Sequence, residues 1–209
     1  TVYTLAHLGY LLHDVRAQTY RLGPAVLRLG YGYMATRELV EVALPELERL
    51  RDETDWSTHL GVRDGRAVLY MLRVPSRMGM GSIVHVGSRL PAVATTMGRA
   101  LLAELDESSL IALFRDEDPS KPPGAASRSM AEVLQQWRRD RESETVVQIG
   151  SFERGIASVA APVRDMSGAT VGAINATRAY SETSEVDDGI ISSVRDCAAR
   201  ITRLLGGAP

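Results

Sequence analysis

The chain has 209 residues, of which 44% are hydrophobic and 24% are charged, and its formal net charge is −2 at pH 7. This composition is typical of one globular domain with a small additional piece, and the charge excludes a uniformly basic coat for nucleic acid. Cys197 is the only cysteine, which excludes an internal disulfide framework and suits a reducing compartment. No stretch approaches the roughly 18 apolar residues of a membrane span. We therefore expect a cytoplasmic protein without a membrane partner.

The first residues predict a small piece of structure and a linker. Val2, Leu5 and Leu8 recur at helical spacing, and Gly9 follows as a stop signal. Two short extended runs at residues 10–13 and 19–22 then predict a hairpin. Residues 25–34 predict a linker helix rich in apolar and aromatic side chains, among them Val26, Leu29, Tyr31 and Tyr33. The chain begins at Thr1 in the middle of a helical pattern, so we expect it to be a fragment.

The rest of the chain predicts an α+β domain with a mostly antiparallel sheet flanked by helices. Pro45 falls inside the first predicted helix and either kinks it or marks its restart. A loop rich in proline, glycine and alanine is predicted at residues 119–126. The predicted strands lie at residues 56–62, 67–72, 82–86, 145–149, 156–163 and 169–176. The predicted helices lie at residues 38–52, 95–105, 110–114, 130–139 and 182–205.

The sequence contains no recognisable catalytic or metal-binding pattern. The histidines are scattered, at His7, His13, His59 and His85, and none is paired at metal-ligand spacing. There is no phosphate-binding Walker loop and no G-x-S-x-G motif. Cys197 lies among Val194, Ala198 and Ile201 on the last predicted helix, which favours a packed and inert thiol over a nucleophile. We expect no catalytic residue, no metal and no cofactor.

The most informative stretch runs from Gly87 to Ala103, where a loop turns into a helix. Pro91 fixes a turn and Thr95 or Thr96 can cap the helix, whose first amides can hold a small anion. The alternative is an ordinary capped helix that packs on a sheet. Polar side chains on neighbouring strands either line a cavity beside this helix or face solvent. The candidate pocket comprises Thr95, Thr96, Met97, Ser158, Asn175 and Thr177, with Met78, Met80 and Leu90 as apolar walls.

Three separated motifs together resemble the IclR (isocitrate-lyase repressor) type of bacterial transcription regulators. The first joins residues 9–11 to residues 20–23 and is similar to the family's wing and its exit into the linker. The second, at residues 90–103, looks like the family's effector-domain motif, and the third, at residues 155–175, looks like its closing strand pair. The resemblance implies the end of a winged helix-turn-helix at residues 1–23, a linker helix at 24–36 and a GAF-like effector domain at 37–209. It also implies a homodimer or homotetramer on palindromic operator DNA.

The resemblance also implies roles for particular residues. The DNA-contacting residues would be Thr1, Tyr3, Thr4 and Arg16, although the family usually places arginine or lysine where Thr4 stands. Gln148 takes the place of a pocket carboxylate that orients ligand hydroxyls in some relatives, which shifts the expected ligand towards one needing an amide. Residues 73–75 and 86–91 look closest to members that control aromatic-acid catabolism. An aromatic or dicarboxylic acid is therefore the expected effector.

The sequence is also compatible with two other functions. One is a GAF-type enzyme or redox domain that uses Cys197, and the other is a GAF-like interaction module that binds no ligand. Slow alkylation of a buried thiol would argue against the enzyme, and a pocket filled by its own side chains would favour the module. The favoured interpretation is a ligand-responsive regulator that is not an enzyme.

Overall fold

A computed structural model describes residues 2–14, 16–17, 19–27, 38–77, 84–115, 129–150, 155–180 and 186–208. The chain divides into two compact units, residues 1–41 and residues 42–209.

The first unit contains a short helix and a hairpin, as predicted. Helix α1 spans Val2–His7, and strands β1 (Leu11–Asp14) and β2 (Thr19–Leu22) pair antiparallel. The hairpin closes onto the end of the helix, where a Cβ on Gly23 would lie 2.1 Å from the Gly9 carbonyl oxygen. That close approach requires glycine at position 23. Most of the predicted linker, residues 28–36, lies outside the described residues.

The second unit is built on a six-stranded antiparallel sheet. Its strands are β3 (Ser57–Asp64), β4 (Ala67–Val74), β5 (Arg89–Pro91), β6 (Val146–Ile149), β7 (Ile156–Arg164) and β8 (Thr170–Ala179). They lie in the order β5-β4-β3-β8-β7-β6, so the first and last parts of the domain meet where β3 pairs with β8. This arrangement confirms the predicted α+β class with a mostly antiparallel sheet.

The strand predicted at residues 82–86 is wrong in its described part. Residues 84–86 form no strand, and the edge strand instead begins at Arg89. A turn precedes it, in which the Gly87 amide donates to the Tyr70 carbonyl and the Tyr70 amide donates to the Ser88 carbonyl. Pro91 is tolerated in this strand because an edge position does not need its missing amide hydrogen.

Helices cover both faces of the sheet. Helices α2 (Glu38–Thr54) and α6 (Asp188–Leu204) lie on one face, and Thr58 of β3 donates from its hydroxyl to the Leu47 carbonyl of α2. Helix α2 continues through Pro45 without a restart. The predicted loop at residues 119–126 lies outside the described residues. Helices α3 (Thr96–Ala103), α4 (Glu107–Phe114) and α5 (Met130–Arg141) lie on the other face.

The core beneath α3 is apolar and tightly packed. Met97 is fully buried, and a Cβ on Gly61 of β3 would lie 3.2 Å from its methyl carbon. Val68, Leu110 and Trp137 belong to the same cluster, and the Trp137 indole donates to the Leu105 carbonyl at 3.2 Å. The packing fixes where α3 begins relative to the sheet.

In the described parts of the chain, every helix is too short or too polar to cross a bilayer.

Candidate functional site

The first turn of α3 has amides available for a ligand. Thr95 caps the helix, since its hydroxyl accepts from the Gly98 amide at 3.1 Å and its carbonyl accepts from the Arg99 amide. The Thr96 and Met97 amides make no hydrogen bond to any other described residue. Thr95 and Thr96 are themselves buried. The predicted cap is confirmed.

Two rows of mainly polar side chains cross the sheet face on which α3 packs. Residues that pair directly across antiparallel strands share a face, and so do residues two apart on one strand. The outer row comprises Ser57, Thr177, Ser158 and Gln148, on β3, β8, β7 and β6. The inner row comprises Arg73, His59, Asn175 and Ala160, on β4, β3, β8 and β7. The sequence predicted Asn175 and Thr177 on one face and Ser158 on an adjacent strand, and the pairing of Ser158 with Thr177 adds Ser158 to the same face.

A chain of hydrogen bonds joins the start of α3 to the middle of the sheet. The hydroxyls of Thr96 and Ser158 lie 2.6 Å apart, and the Asn175 amide nitrogen donates to the Ser158 oxygen at 3.2 Å. The Asn175 amide oxygen lies 2.9 Å from Nδ1 of His59. These four side chains therefore form one connected and largely buried polar group beside the start of α3.

His59 is neutral in this environment. It is 3% exposed, and burial lowers the pKa of its imidazole to about 4, although the Asn175 hydrogen bond acts in the opposite direction and the Arg73 charge adds to the lowering. The ring of Tyr70 contacts the His59 ring edge to face, with centroids 5.6 Å apart. Burial disfavours the charged imidazolium because the surroundings solvate it poorly.

Gln148 occupies the other side of the α3 N-terminus. Its amide nitrogen donates to the Ala94 carbonyl at 3.2 Å, immediately before the cap. Its amide oxygen accepts from Arg99 at 3.4 Å. Arg99 in turn forms a buried ion pair with Asp140 of α5, whose carboxylate also accepts from Gln136 at 2.9 Å. The local network thus holds the Gln148 amide beside the helix start.

The remaining predicted site residues are not all brought to this place. The Met97 side chain is buried in the core, so its backbone amide is the part that can meet a ligand. Leu90 is half-buried on edge strand β5, which is separated from β8 by β4 and β3. Met78 and Met80 lie outside the described residues.

Sequence reasoning missed four polar residues of this region, which are His59, Arg73, Arg99 and Asp140. The predicted strand at residues 56–62 was a usable signal for His59. Side chains alternate between the two faces of a strand, so His59 lies on the same face as Ser57 and Gly61. The Arg99–Asp140 pair joins residues distant in sequence, and nothing local indicates it.

The predicted DNA-contacting residues belong to the first unit. Tyr3 is 83% exposed, and Thr4 and Arg16 are also exposed. The Arg16 amide donates to the Asp14 carboxylate at 2.9 Å, which shapes the hairpin turn. Thr1 lies outside the described residues.

The structure gives Cys197 no feature of a nucleophile. The thiol is fully buried on α6 and donates to the Glu46 carbonyl at 3.6 Å. Burial raises its pKa to about 12, so the reactive thiolate is scarcely populated near neutral pH. Among the described residues, no three histidine, cysteine, aspartate or glutamate side chains are grouped as metal ligands would be.

Comparisons with known proteins identify the family. Residues 31–203 match the family model described as the C-terminal region of the bacterial transcriptional regulator IclR. The chain therefore belongs to the IclR family of bacterial transcriptional regulators. It is 32% identical over 175 residues to the Pca regulon regulatory protein of Pseudomonas putida, covering 83% of this chain and 60% of that protein. The chain thus spans less than two thirds of that relative's length.

Solved structures agree with this assignment. A crystal structure of a transcriptional regulator from Rhodococcus sp. RHA1 superposes with a TM-score of 0.80 at 33% identity, covering 98% of this chain and 82% of that one. An IclR homologue from Microbacterium hydrocarbonoxydans, solved in complex with 4-hydroxybenzoate, gives a TM-score of 0.78 at 24% identity over 98% of this chain and 82% of that one. The second likeness supports the fold.

Proposed function

We propose that this chain is the sensing part of a ligand-responsive, DNA-binding transcription regulator whose effector is a small aromatic or dicarboxylic acid. The observation that carries the proposal is the connected group of buried polar side chains beside the start of α3. Small-molecule sites are typically lined by a few polar side chains that converge among apolar ones, and this group converges beside a helix N-terminus that favours an anion. The name of the Pseudomonas relative and the 4-hydroxybenzoate in the Microbacterium structure support an aromatic acid.

The effector's carboxylate would bind at the Thr96 and Met97 amides. A helix N-terminus favours negative charge by about 1 kcal/mol, and the Thr95 cap occupies the Gly98 amide and leaves these two amides available. The rest of the effector would meet polar side chains of the two rows and apolar walls. The polar partners would be Gln148, Ser158, Asn175 and Thr177, and Met80 would be an apolar wall, whereas Leu90 lies on the edge strand away from these residues. Two or three hydrogen bonds in such a site, reduced by the entropy that the effector loses on binding, allow a Kd in the micromolar range.

The wider organisation follows the family. We propose residues 1–23 as the end of a winged helix, residues 24–36 as a linker and residues 37–209 as the effector domain. In the complete protein, Thr1, Tyr3, Thr4 and Arg16 would contact operator DNA in a homodimer or homotetramer located in the cytoplasm. The domain would be a sensor rather than an enzyme, since the inert Cys197 argues against the redox alternative.

Isothermal titration calorimetry with a panel of aromatic and short-chain carboxylic acids tests the site. Asn175→Leu should weaken binding of the acid identified roughly tenfold or more, because it leaves a polar group of the ligand unpaired. Thr96→Pro removes one of the two amide donors at a position where proline fits, since Thr95 already has the extended backbone that proline requires before it.

The matched control is Thr170→Val, at the far end of β8. It removes a hydrogen bond of similar type, from the Thr170 hydroxyl to Glu104 at 3.0 Å, outside the proposed site. Affinity should then remain at the wild-type value. Unchanged affinity in both Asn175→Leu and Thr96→Pro would place the pocket elsewhere, and failure of every acid to bind would refute the effector class.

A further inference from the structure

Two nitrogen atoms in the inner polar row are buried without a hydrogen-bond partner. Across the described residues, Nε2 of His59 and Nε of Arg73 are the buried side-chain atoms left in that condition. His59 on β3 and Arg73 on β4 pair directly, so their side chains leave the sheet on the same face. Buried polar groups nearly always have partners, and two such groups side by side indicate a partner that is not part of the protein.

The bonds around His59 define what that partner must offer. Nδ1 faces the Asn175 amide oxygen at 2.9 Å, and an amide oxygen only accepts, so the imidazole proton resides on Nδ1. The low pKa of His59 keeps the ring neutral at pH 7, which leaves Nε2 as an acceptor. The Arg73 guanidinium is always protonated, so its Nε is a donor. The pair therefore presents one acceptor and one donor.

We propose that His59 and Arg73 bind a hydroxyl group of the effector, so that the sensed molecule is a hydroxy-substituted carboxylic acid. The hydroxyl donates its hydrogen to Nε2 of His59, and its oxygen accepts from Nε of Arg73. A second carboxylate fits this pair less well, because its oxygens would oppose the lone pair on His59. The inference rests on the proposed function, since the acid group is held at the Thr96 and Met97 amides.

The positions of the two ends also restrict the shape of the effector. His59 is on β3, whereas Ser158, which contacts Thr96 of α3, is on β7, and β8 lies between them. Neighbouring strands are about 4.8 Å apart, so the sites for the acid group and for the hydroxyl group of the effector lie about 10 Å apart. This separation favours a hydroxyl on the side of the molecule opposite its acid group over one on a carbon next to it.

Calorimetry with four related acids tests the proposal on the wild-type chain. 4-Hydroxybenzoate should bind roughly tenfold more tightly than benzoate, because only the former satisfies both buried atoms. 4-Methoxybenzoate and 2-hydroxybenzoate should show no such gain, since the methoxy group lacks a donor and the 2-hydroxyl lies beside the carboxylate. Equal affinity for 4-hydroxybenzoate and either analogue would overturn the proposal without the need for any variant.

Variants then assign the effect to the two residues. In His59→Leu and Arg73→Met, the ratio of benzoate to 4-hydroxybenzoate dissociation constants should fall to about one. His59→Gln, which keeps an acceptor, should retain part of the preference. A substitution that damages the whole site weakens the binding of both acids, so it leaves the ratio of their dissociation constants unchanged.

Different outcomes separate this inference from the proposed function. A wild-type chain that binds benzoate and 4-hydroxybenzoate equally, or a His59→Leu chain that keeps the preference, overturns hydroxyl recognition but leaves acid binding intact. A chain that binds none of these acids or any other in the panel overturns both.

Discussion

Arg99 and Asp140 are joined by two hydrogen bonds in the interior, Nε to Oδ2 at 2.9 Å and Nη2 to Oδ1 at 2.5 Å. Their side chains are only 12% and 7% exposed, so the pair is shielded from solvent. It links α3, whose first turn lies at the candidate site, to α5, which does not contribute a side chain to the polar rows. The position of the α3 N-terminus is thereby tied to a helix outside the site.

Removal of one partner of this pair should be strongly destabilising. Asp140→Ala leaves the Arg99 charge buried and uncompensated, so the free energy of unfolding in urea should fall by about 3–5 kcal/mol. The control is Asp64→Ala, which breaks the exposed Arg89–Asp64 pair of 2.7 Å. That change should cost less than about 1 kcal/mol. If the free energy of unfolding fell by a similar amount in the two variants, burial of the Arg99–Asp140 pair would not be the main cause of the loss.

Stability should decrease on mild acidification because of His59. Its pKa is about 4 in the folded chain against 6.5 as the ordinary value, so below pH 6.5 the unfolded chain binds a proton that the folded chain excludes. This contribution is fully present above pH 6.5 and is lost as the pH falls towards 4. By pH 5 the free energy of unfolding should drop by about 2 kcal/mol from this group alone.

Urea denaturation between pH 7 and pH 5 measures this dependence. His59→Gln should flatten it, whereas His85→Gln, at an exposed position, should leave it as in the wild type. An undiminished slope in His59→Gln would show that the folded chain does accept a proton at His59.

Cys197 should be inert towards alkylation in the native chain. Its burial and its raised pKa of about 12 leave little thiolate to react. Iodoacetamide at pH 8, followed by mass spectrometry, should give slow modification of the folded chain and rapid modification in denaturant. Comparable rates in the two conditions would restore the possibility of a reactive thiol.

Gly98 should be intolerant of any side chain, although alanine is the better helix former. An added Cβ would lie 2.2 Å from the Ala92 carbonyl oxygen in the turn before α3. Gly98→Ala should therefore lower the melting temperature despite a propensity gain of about 1 kcal/mol.

Gly189→Ala in α6 is the matched control for Gly98→Ala. The nearest atom to its added Cβ is a carboxylate oxygen of exposed Asp187 at 3.3 Å, where a shift of a few tenths of an ångström relieves the contact, and the other oxygen caps the Gly189 amide. The melting temperature of that variant should stay close to the wild-type value. A Gly98→Ala chain as stable as the control would show that the turn before α3 adapts.

Much of the fold was predictable because the signals were local. Apolar runs located the paired strands β7 and β8, and a polar cap located the start of α3, where Thr95 accepts from a backbone amide. Helix α4 was predicted from residue 110 but begins at Glu107, directly after the cap at Asp106. The edge strand was misplaced because the β-branched residues Val84 and Val86 have strand propensity but precede the turn at Gly87. Propensity does not show which residues reach the neighbouring strand.

The candidate site was only half predictable for a related reason. Asn175 and Thr177 could be placed on one face from their spacing along a single strand. The meeting of Asn175 with His59 depends on the pairing register between β3 and β8, which joins residues 116 positions apart. Register is set by the packing of the whole sheet, so the acceptor and donor at His59 and Arg73 emerge only from the assembled structure.

The burial of Cys197 makes the chain convenient for spectroscopic labelling at a second, introduced cysteine. Because no other cysteine is present, a cysteine introduced at an exposed position such as Arg178 would be the one thiol available to a spin label or fluorophore. Distances between labels in associated copies would then distinguish a dimer from a tetramer, with the native thiol left in place.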